Sequence, residues 1–403
     1  MSLSMVTMEW GFYGHKKINY YAVLTIPPPL IGFFKPHIIL ISDRGVRPDM
    51  RRYVHPLEGY KHYIDLDIWH KGDSLILHRK FEYDRIATAT WTVIRSEKDD
   101  TGNRENNSRR DNAAESIGGV QTLKDTVDFV GCADGRYWFR YQRDSFSIDS
   151  VGLELDFRSH GYDLEFVVAE FLYPGLNHRL HYKDELIETG MLPYSFIHVY
   201  RQLVSAYRSG DVSAILQLSA DIGHYVADAH VPLHTTSNYD GQKTNQKGIH
   251  GFWESRIPEL LAAEEFDPFV GPAQYIPSVD SFIWDIVLHS YSLVNQVLDV
   301  ESEVRSGMPV SELYCYEERN YQTVRLPCAD FARAYHEALD NMVAKQWRSA
   351  IHHVGSVWYS AWIDGGRVDV KWLNDQVIEQ DEGIWQKLKS LLESQSILGR
   401  EHD

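Results

Sequence analysis

The sequence predicts a mainly α-helical protein with a β-rich insertion. Three features point there: apolar residues recur at steps of three and four over long stretches, the period drops to two in one central region, and proline or glycine closes the helical runs. Val212, Ile215, Ile222 and Val226 repeat at helical spacing behind Asp211, and Pro232 stops the run. An aspartate at that position accepts a hydrogen bond from an otherwise orphaned first-turn N–H, so it serves as the N-cap. Phe282, Ile286, Leu293 and Val297 mark a second helix. A third is expected through Phe331, Tyr335, Met342, Trp347, Ile351, Val354, Trp358 and Trp362, ending at Gly365-Gly366. These helices build a core, and their aromatic residues need no role beyond packing.

Between about Asp67 and Tyr173 the alternation in Thr88–Ile94 and Val151–Phe157 suits half-buried strands. Ser96 to Ser116 is rich in Asn, Asp, Arg and Ser without apolar periodicity, which predicts a mobile loop near 96–116. The expected organisation is a discontinuous helical domain at 10–67 and 174–366, a β-rich insertion at 68–173, and a tail at 367–403 with a short amphipathic helix at Ile384–Leu392.

The chain has 403 residues, with 40 Lys and Arg against 57 Asp and Glu, a net charge of −17. That excludes a global basic surface which holds phosphate backbones by field strength alone. With 43% hydrophobic residues the chain can bury a sizeable core, so disorder throughout is excluded as well. Three cysteines are too few for a disulfide scaffold, although a Cys315–Cys328 bridge is compatible with their placement. No run approaches the ~18 apolar residues of a membrane span, and Met1 to Glu9 lacks the apolar core of a secretory signal.

The densest chemistry lies in Gly223-His-Tyr-Val-Ala-Asp-Ala-His-Val-Pro-Leu-His234. His224 and Asp228 are four apart, so on a helix they project from one face and can grip one cation. Gln217 and Asp221 share that polar stripe. A His–Asp pair alone is more often a surface or satisfied core pair, but His234 lies just past the Pro232 break and can fold back toward it. A second pair at the same spacing, His250 and Glu254, follows a polar loop. Upstream, Arg47-Pro-Asp-Met-Arg-Arg-Tyr53 and Lys61-His-Tyr-Ile-Asp-Leu-Asp67 supply Asp49, His62, Asp65 and Asp67, each weak when taken singly. Imidazole and carboxylate ligands on helices suit zinc, and manganese or iron would also be tolerated.

Trp10-(x)4-His15, Asp49, the His-Tyr-Ile-Asp run from His62, His224-(x)3-Asp228-(x)5-His234 and His250-(x)3-Glu254 occur in one order. This set resembles the zinc-dependent phospholipases C and their relatives, the single-strand-specific zinc nucleases, over roughly Trp10 to Asp67 and Tyr194 to Gly366. The resemblance implies a multi-helix fold with three zinc ions in a cleft. One ion would use Asp49, His62, His224 and Asp228, and another His234, His250 and Glu254. The third would use His15, Asp228 as a bridging carboxylate, and the α-amino and carbonyl groups of an N-terminal Trp10. In this sequence Trp10 follows nine residues, so either the mature chain starts at Trp10, in the periplasm or outside the cell as the resemblance implies, or the third zinc is bound differently or weakly.

The implied activity is phosphodiester hydrolysis by metal-activated water, with Asp228 as the shared carboxylate and Asp49 as a ligand, a general base, or both. Glu254 is more like the phospholipase branch, whereas Trp10-Gly-(x)3-His15 is more like the nuclease branch. A phospholipid or other phosphodiester is therefore the expected substrate, with single-stranded nucleic acid as the alternative. Phe12, Tyr13, Tyr63 and Tyr225 could line the approach, though core packing is the commoner role for each. A third possibility is a zinc-stabilised binding or surface protein without turnover. No protein partner is evident. The sequence has no G-x-G-x-x-G, no G-x-x-x-x-G-K-[ST] and no G-x-S-x-G motif.

Overall fold

The computed structural model describes residues 4–95 (apart from 54, 56, 73, 82, 83, 85–87 and 89), 126–133, 136–143, 146–153, 169–170, 178–183, 185–319 and 322–376. The expected loop at 96–116 and the tail helix at Ile384–Leu392 lie outside these residues. The chain divides into two units, Met1–Ile76 with Thr189–Asp403, and Leu77–Glu188. The second unit starts and ends further along the chain than the expected 68–173. It carries β1 (Thr90–Arg95), β2 (Thr126–Ala133), β3 (Arg136–Arg143), β4 (Phe146–Leu153), β5 (Ala169–Glu170) and β6 (His178–Lys183). They form two antiparallel three-stranded sheets, ordered β2-β3-β4 and β1-β6-β5. The register pairs Phe129 with Phe139 and Tyr141 with Ile148.

The first unit is helical. Its main elements are α1 (Ser4–Val23), α2 (Ile38–Arg44), α3 (Arg47–Arg51), α4 (Leu192–Ser209), α5 (Val212–Ala229), α6 (Ile257–Glu265), α7 (Val279–Ser292), α8 (Val294–Gly307), α9 (Ala329–Ala338) and α10 (Met342–Asp364). Asp211 caps α5 as the sequence predicts, accepting from the Ala214 N–H at 2.9 Å. The centre of the core is α10, which packs on α1, α4 and α5. Trp347, Ile351, Val354 and Trp358 are buried along it. Gly355 lets α1 approach closely, since a Cβ there would collide with the Thr25 hydroxyl and crowd the Ala22 carbonyl. Trp358 stacks on Phe34 with centroids 5.1 Å apart and donates its indole N–H to the Ser219 carbonyl at 2.8 Å, which ties α10 to α5.

Two expected helices are each broken in two. The run from Phe282 to Val297 divides into α7 and α8 at Leu293, whose N–H turns to the Ser290 carbonyl three residues back instead of continuing the ladder. The run from Phe331 to Trp362 divides between α9 and α10, because Asp340 (φ 52°) and Asn341 (φ 57°) take the left-handed conformation. Asp and Asn tolerate that conformation better than other non-glycine residues, so a helical apolar period can run across the break unnoticed. A hairpin absent from the sequence reading, β7 (Tyr314–Arg319) with β8 (Gln322–Pro327), lies just before α9. A Cys315–Cys328 disulfide closes it.

Where α5 ends, His230 donates its Nδ1 proton to the Val226 carbonyl at 2.7 Å, and its Nε2 lies 2.9 Å from His353 Nδ1 on α10. Burial lowers the His230 pKa to about 4, against the pull of the Val226 hydrogen bond. Burial, reinforced by His230 and His352, lowers that of His353 to about 3.

Two expectations follow from this core. Trp358→Ala should cost about 3–5 kcal/mol in urea unfolding, because it leaves a large cavity and removes the indole hydrogen bond to the Ser219 carbonyl. The histidine pair should make stability pH-dependent, with the following sign. Both folded pKa values are depressed, so the unfolded chain binds protons that the folded chain refuses, and stability is lost as pH falls from about 6.5 toward 4. Unfolding of chelator-treated protein across that range should show a shallower slope for His353→Phe than for the wild type. Equal slopes would place the pH dependence elsewhere.

Candidate metal centre

Three chain segments deliver the ligand-type side chains of α5 and its sequel to one point. His224 and Asp228 stand one turn apart on α5, both buried, with His224 Nε2 3.3 Å from Asp228 Oδ2. Val231 is held extended before Pro232, and the 3₁₀ turn Pro232–Thr235 then folds the chain back. His234 therefore arrives beside His62, donating its Nδ1 proton to the His62 carbonyl. The Ile64 and Leu66 N–H groups bond to the His234 and Thr235 carbonyls at 2.9 and 3.0 Å, fixing the two stretches side by side. Asp49 comes from α3, which Pro48 starts.

His250 and Glu254 lie on a short helical turn, Ile249–Gly251, that runs into the π turn Phe252–Arg256 and then α6. The expected four-residue spacing survives the π turn, with His250 Nε2 2.8 Å from Glu254 Oε2. Such turns are common at functional sites because the extra residue re-aims the side chains around it.

The side chains fall into adjoining groups. His62 Nδ1 lies 2.9 Å from Asp228 Oδ2 and 3.0 Å from His224 Nε2, while Asp49 Oδ1 is 3.5 Å from His224 Nε2 and 3.7 Å from His62 Nδ1. Glu254 Oε2 also lies 3.1 Å from His234 Nε2. Between these two groups stands His15, its Nε2 3.4 Å from Asp228 Oδ1 and 3.3 Å from Glu254 Oε1. Each of the two carboxylates thus turns one oxygen to His15 and the other to a neighbouring pair of histidines. Groups able to hold a metal ion are His62–His224–Asp228, His234–His250–Glu254, His15–Asp228–Glu254 and His15–Asp49–His224.

The electrostatics suit a cation. Burial by itself would raise the Asp228 and Glu254 carboxyls, yet the surrounding histidines hold both well below the usual carboxylate range, and Asp49 is lowered in the same way. Burial by itself would lower His224 and His234, yet the facing carboxylates raise both. His62, where burial outweighs the pull of Asp228, is lowered to about 4. Ionised carboxylates packed against imidazoles are a donor set that a divalent cation satisfies, and in its absence protons take part of that role.

The ring orientations support the same use. His224 donates its Nδ1 proton to the Gly45 carbonyl at 2.8 Å, leaving Nε2 to face the cluster. His234 does the same through the His62 carbonyl. Backbone carbonyls commonly orient metal-bound imidazoles in this way.

The remaining candidates lie elsewhere or do other work. Trp10 sits inside α1, so its nitrogen is a peptide amide within a helix. Gln217 and Asp221 are bonded to each other at 2.7 Å and to Arg47 and Arg51, joining α3 to α5. Asp67 accepts from the Ser237 N–H at 2.8 Å, and Asp65 is buried outside the ligand groups. Tyr63 and Tyr225 are core residues, whereas Phe12 and Tyr13 are half-buried.

Sequence reasoning missed three things. Glu254 faces two groups, which its motif gave no sign of. Arg52 is buried with Nη1 3.8 Å from Asp49 Oδ1, and its Nε and Nη2 have no hydrogen-bond partner among the described residues. Its position one turn after Asp49 was the available signal. Asn19 is buried between α2 and α5, donating to the Ala220 carbonyl at 3.2 Å, and it fills the notch left by Gly45 and Gly223.

That notch yields a prediction. A Cβ at residue 45 would stand 2.5 Å from Asn19 Nδ2 and 3.1 Å from the Ser42 carbonyl, so Gly45→Ala sets the Asn19 side chain against the turn whose carbonyl orients His224. Metal affinity, read by competition with a chelating dye, should fall about 10–100-fold. Adding Asn19→Ala should restore part of it by clearing the space. No protein-family model, curated protein or solved structure matches this chain, so its function has to be argued from the residues of this centre.

Proposed function

We propose that the protein is a zinc-dependent phosphodiester hydrolase, most like a phospholipase C. What carries the proposal is the convergence of eight ligand-type side chains, His15, Asp49, His62, His224, Asp228, His234, His250 and Glu254, into adjoining groups that share carboxylates. A structural zinc site is a closed cage of four ligands and has no use for adjoining groups of this kind. Imidazole with carboxylate suits zinc. Three ions would be held by Asp49, His62, His224 and Asp228, by His234, His250 and Glu254, and by His15 with Asp228 and Glu254. When bound, such ions supply an activated water and neutralise phosphoryl oxygens.

The chain's own residues divide the remaining work. Asp49 is the most exposed carboxylate of the first group, at 18%, and its lowered pKa keeps it ionised, which suits a metal ligand that also accepts a hydrogen bond from water better than a base that takes its proton. Asp228 is almost fully buried, and hydrogen bonds from His62 and His224 hold it ionised, which suits a shared ligand better than a base. Arg52 places a fixed positive charge beside Asp49, suited to a phosphate oxygen. The Gly45 and His62 carbonyls fix imidazole orientation.

Glu254 favours a phospholipid substrate by resemblance, and among the described residues no helix is long and apolar enough to cross a membrane. A single-strand-specific nuclease is the second possibility, supported by Trp10-Gly-(x)3-His15. The Cys315–Cys328 disulfide supports action outside the reducing cytosol.

Asp228→Ala should lose bound metal and lower phosphodiester turnover by at least about 10²-fold, because one carboxylate serves two groups. Elemental analysis beside hydrolysis of phosphatidylcholine and of single-stranded DNA at equal protein concentration reads both effects and the substrate class. Full zinc with full turnover in the variant would refute the assignment. A chelator that lowers the melting temperature of a protein inactive on every phosphodiester would indicate a zinc-stabilised binding protein.

A further inference from the structure

A cavity of about 330 Å³ lies behind the turn that carries His250 and Glu254. This volume is at the lower end of the range for small-molecule pockets. Its walls are the Asn245–Gly248 loop, the outer side of the Gly251–Ser255 turn, α8 through Glu301 and Arg305, and the β7–β8 hairpin through Tyr314 and Arg325. None of the metal-centre residues lines it.

The charges in its wall are unequal. Four cations, Lys247, Arg256, Arg305 and Arg325, face two carboxylates, Glu259 and Glu301. Glu259 is held by Arg256 at 3.2 Å and by Arg319 at 3.0 Å, and Arg256 also pairs with Glu317. Glu301 is buried, accepts from Gln246 at 2.6 Å and lies 3.2 Å from the Arg305 Nε. Both acids are therefore already engaged. Lys247 and Arg325 have no carboxylate partner among the described residues. On a protein of net charge −17, two uncommitted cations at one cavity are a local reversal of sign.

The rest of the wall selects shape. The Arg325 guanidinium lies 3.8 Å over the centroid of the Tyr314 ring, a flat cationic face held by cation–π attraction. Ile249, Leu326 and Pro327 give the cavity an apolar floor. A ligand that satisfies both features has a flat apolar body and a single negative group.

We propose that this cavity is a second binding site, for a small flat organic anion such as an aryl carboxylate, sulfonate or phosphate. The anion pairs with Arg325 and Lys247 while the ring covers Ile249 and Leu326. Binding here needs no metal and stands whether or not the metal centre hydrolyses phosphodiesters.

Naphthalene-2-sulfonate is a suitable probe, since it is flat and anionic and coordinates metals poorly. Titration calorimetry of the metal-loaded protein should show saturable one-to-one binding. Arg325→Glu and Lys247→Glu each reverse an exposed charge and should weaken it by about tenfold or more, while Asp228→Ala should leave it unchanged. Neutral 2-naphthalenemethanol should bind more weakly than the sulfonate. Absence of saturable binding, retention of full affinity in both charge variants, or loss in Asp228→Ala alone would overturn the proposal.

Discussion

Three carboxylates sharing a small buried space with five histidines is the constraint on which the helical unit depends. Two like charges about 4 Å apart repel by roughly 4 kcal/mol even at an effective dielectric constant of 20, and desolvation adds to that. Such a cluster persists only if positive charge is supplied among the oxygens. Histidine suits this setting because it can act as a neutral donor to a metal or take up a proton. The raised pKa values of His224 and His234 and the depressed ones of Asp228 and Glu254 describe the same balance from its two sides. Proton and metal compete for the same atoms, so the cluster's preference for a cation is also a preference for neutral or alkaline conditions.

The surrounding structure reads as support for that cluster. Asp49 comes from the short helix α3 and His62 from the stretch that follows it, and a polar network holds them against α5. Arg51 pairs with Asp221 at 3.1 Å and Glu58 at 3.0 Å, Lys61 reaches Glu58 at 2.7 Å, and the Tyr225 hydroxyl donates to Glu58 at 2.5 Å. Burial opposes ionisation of Glu58, yet Arg51 and Lys61 keep it well below its ordinary value. A half-satisfied network here would be worse than an apolar contact, and this one is linked through at both ends of α3. On the opposite side, Trp358 and Asn19 fix α5 against α10, α1 and α2 through backbone carbonyls, so the helix bearing His224 and Asp228 is held from several directions.

How much of this was legible follows from what kind of physics each feature rests on. The pairs His224–Asp228 and His250–Glu254 were visible because four-residue spacing is a local property of a helix, and the Asp211 cap was visible for the same reason. The breaks at Leu293 and at Asp340–Asn341 were not, because an apolar period continues across a bend when both halves pack on one core. Long-range geometry was harder still. That Glu254 turns its second oxygen to His15 depends on where α1 lies relative to the π turn, and no spacing within either motif encodes it. Arg52 was passed over because a charged residue in an Arg-rich run is ordinarily solvated, whereas this one is buried.

Net charge bears on substrate class more than it first suggests. Under the proposed function three divalent ions would leave the chain acidic, and a phosphate partner would be held by a small cationic centre on a chain of net charge −17. A nucleic-acid strand brings a charge with every phosphate and would meet repulsion wherever its path crosses acidic surface, softened beyond a Debye length of ~8 Å at physiological salt. A zwitterionic phospholipid headgroup brings one phosphate and carries its own cation, so it loses little on approach and gains the full attraction of the centre. Under the proposed function that balance would favour a single phosphodiester over a polyanion, an argument separate from the Glu254 motif.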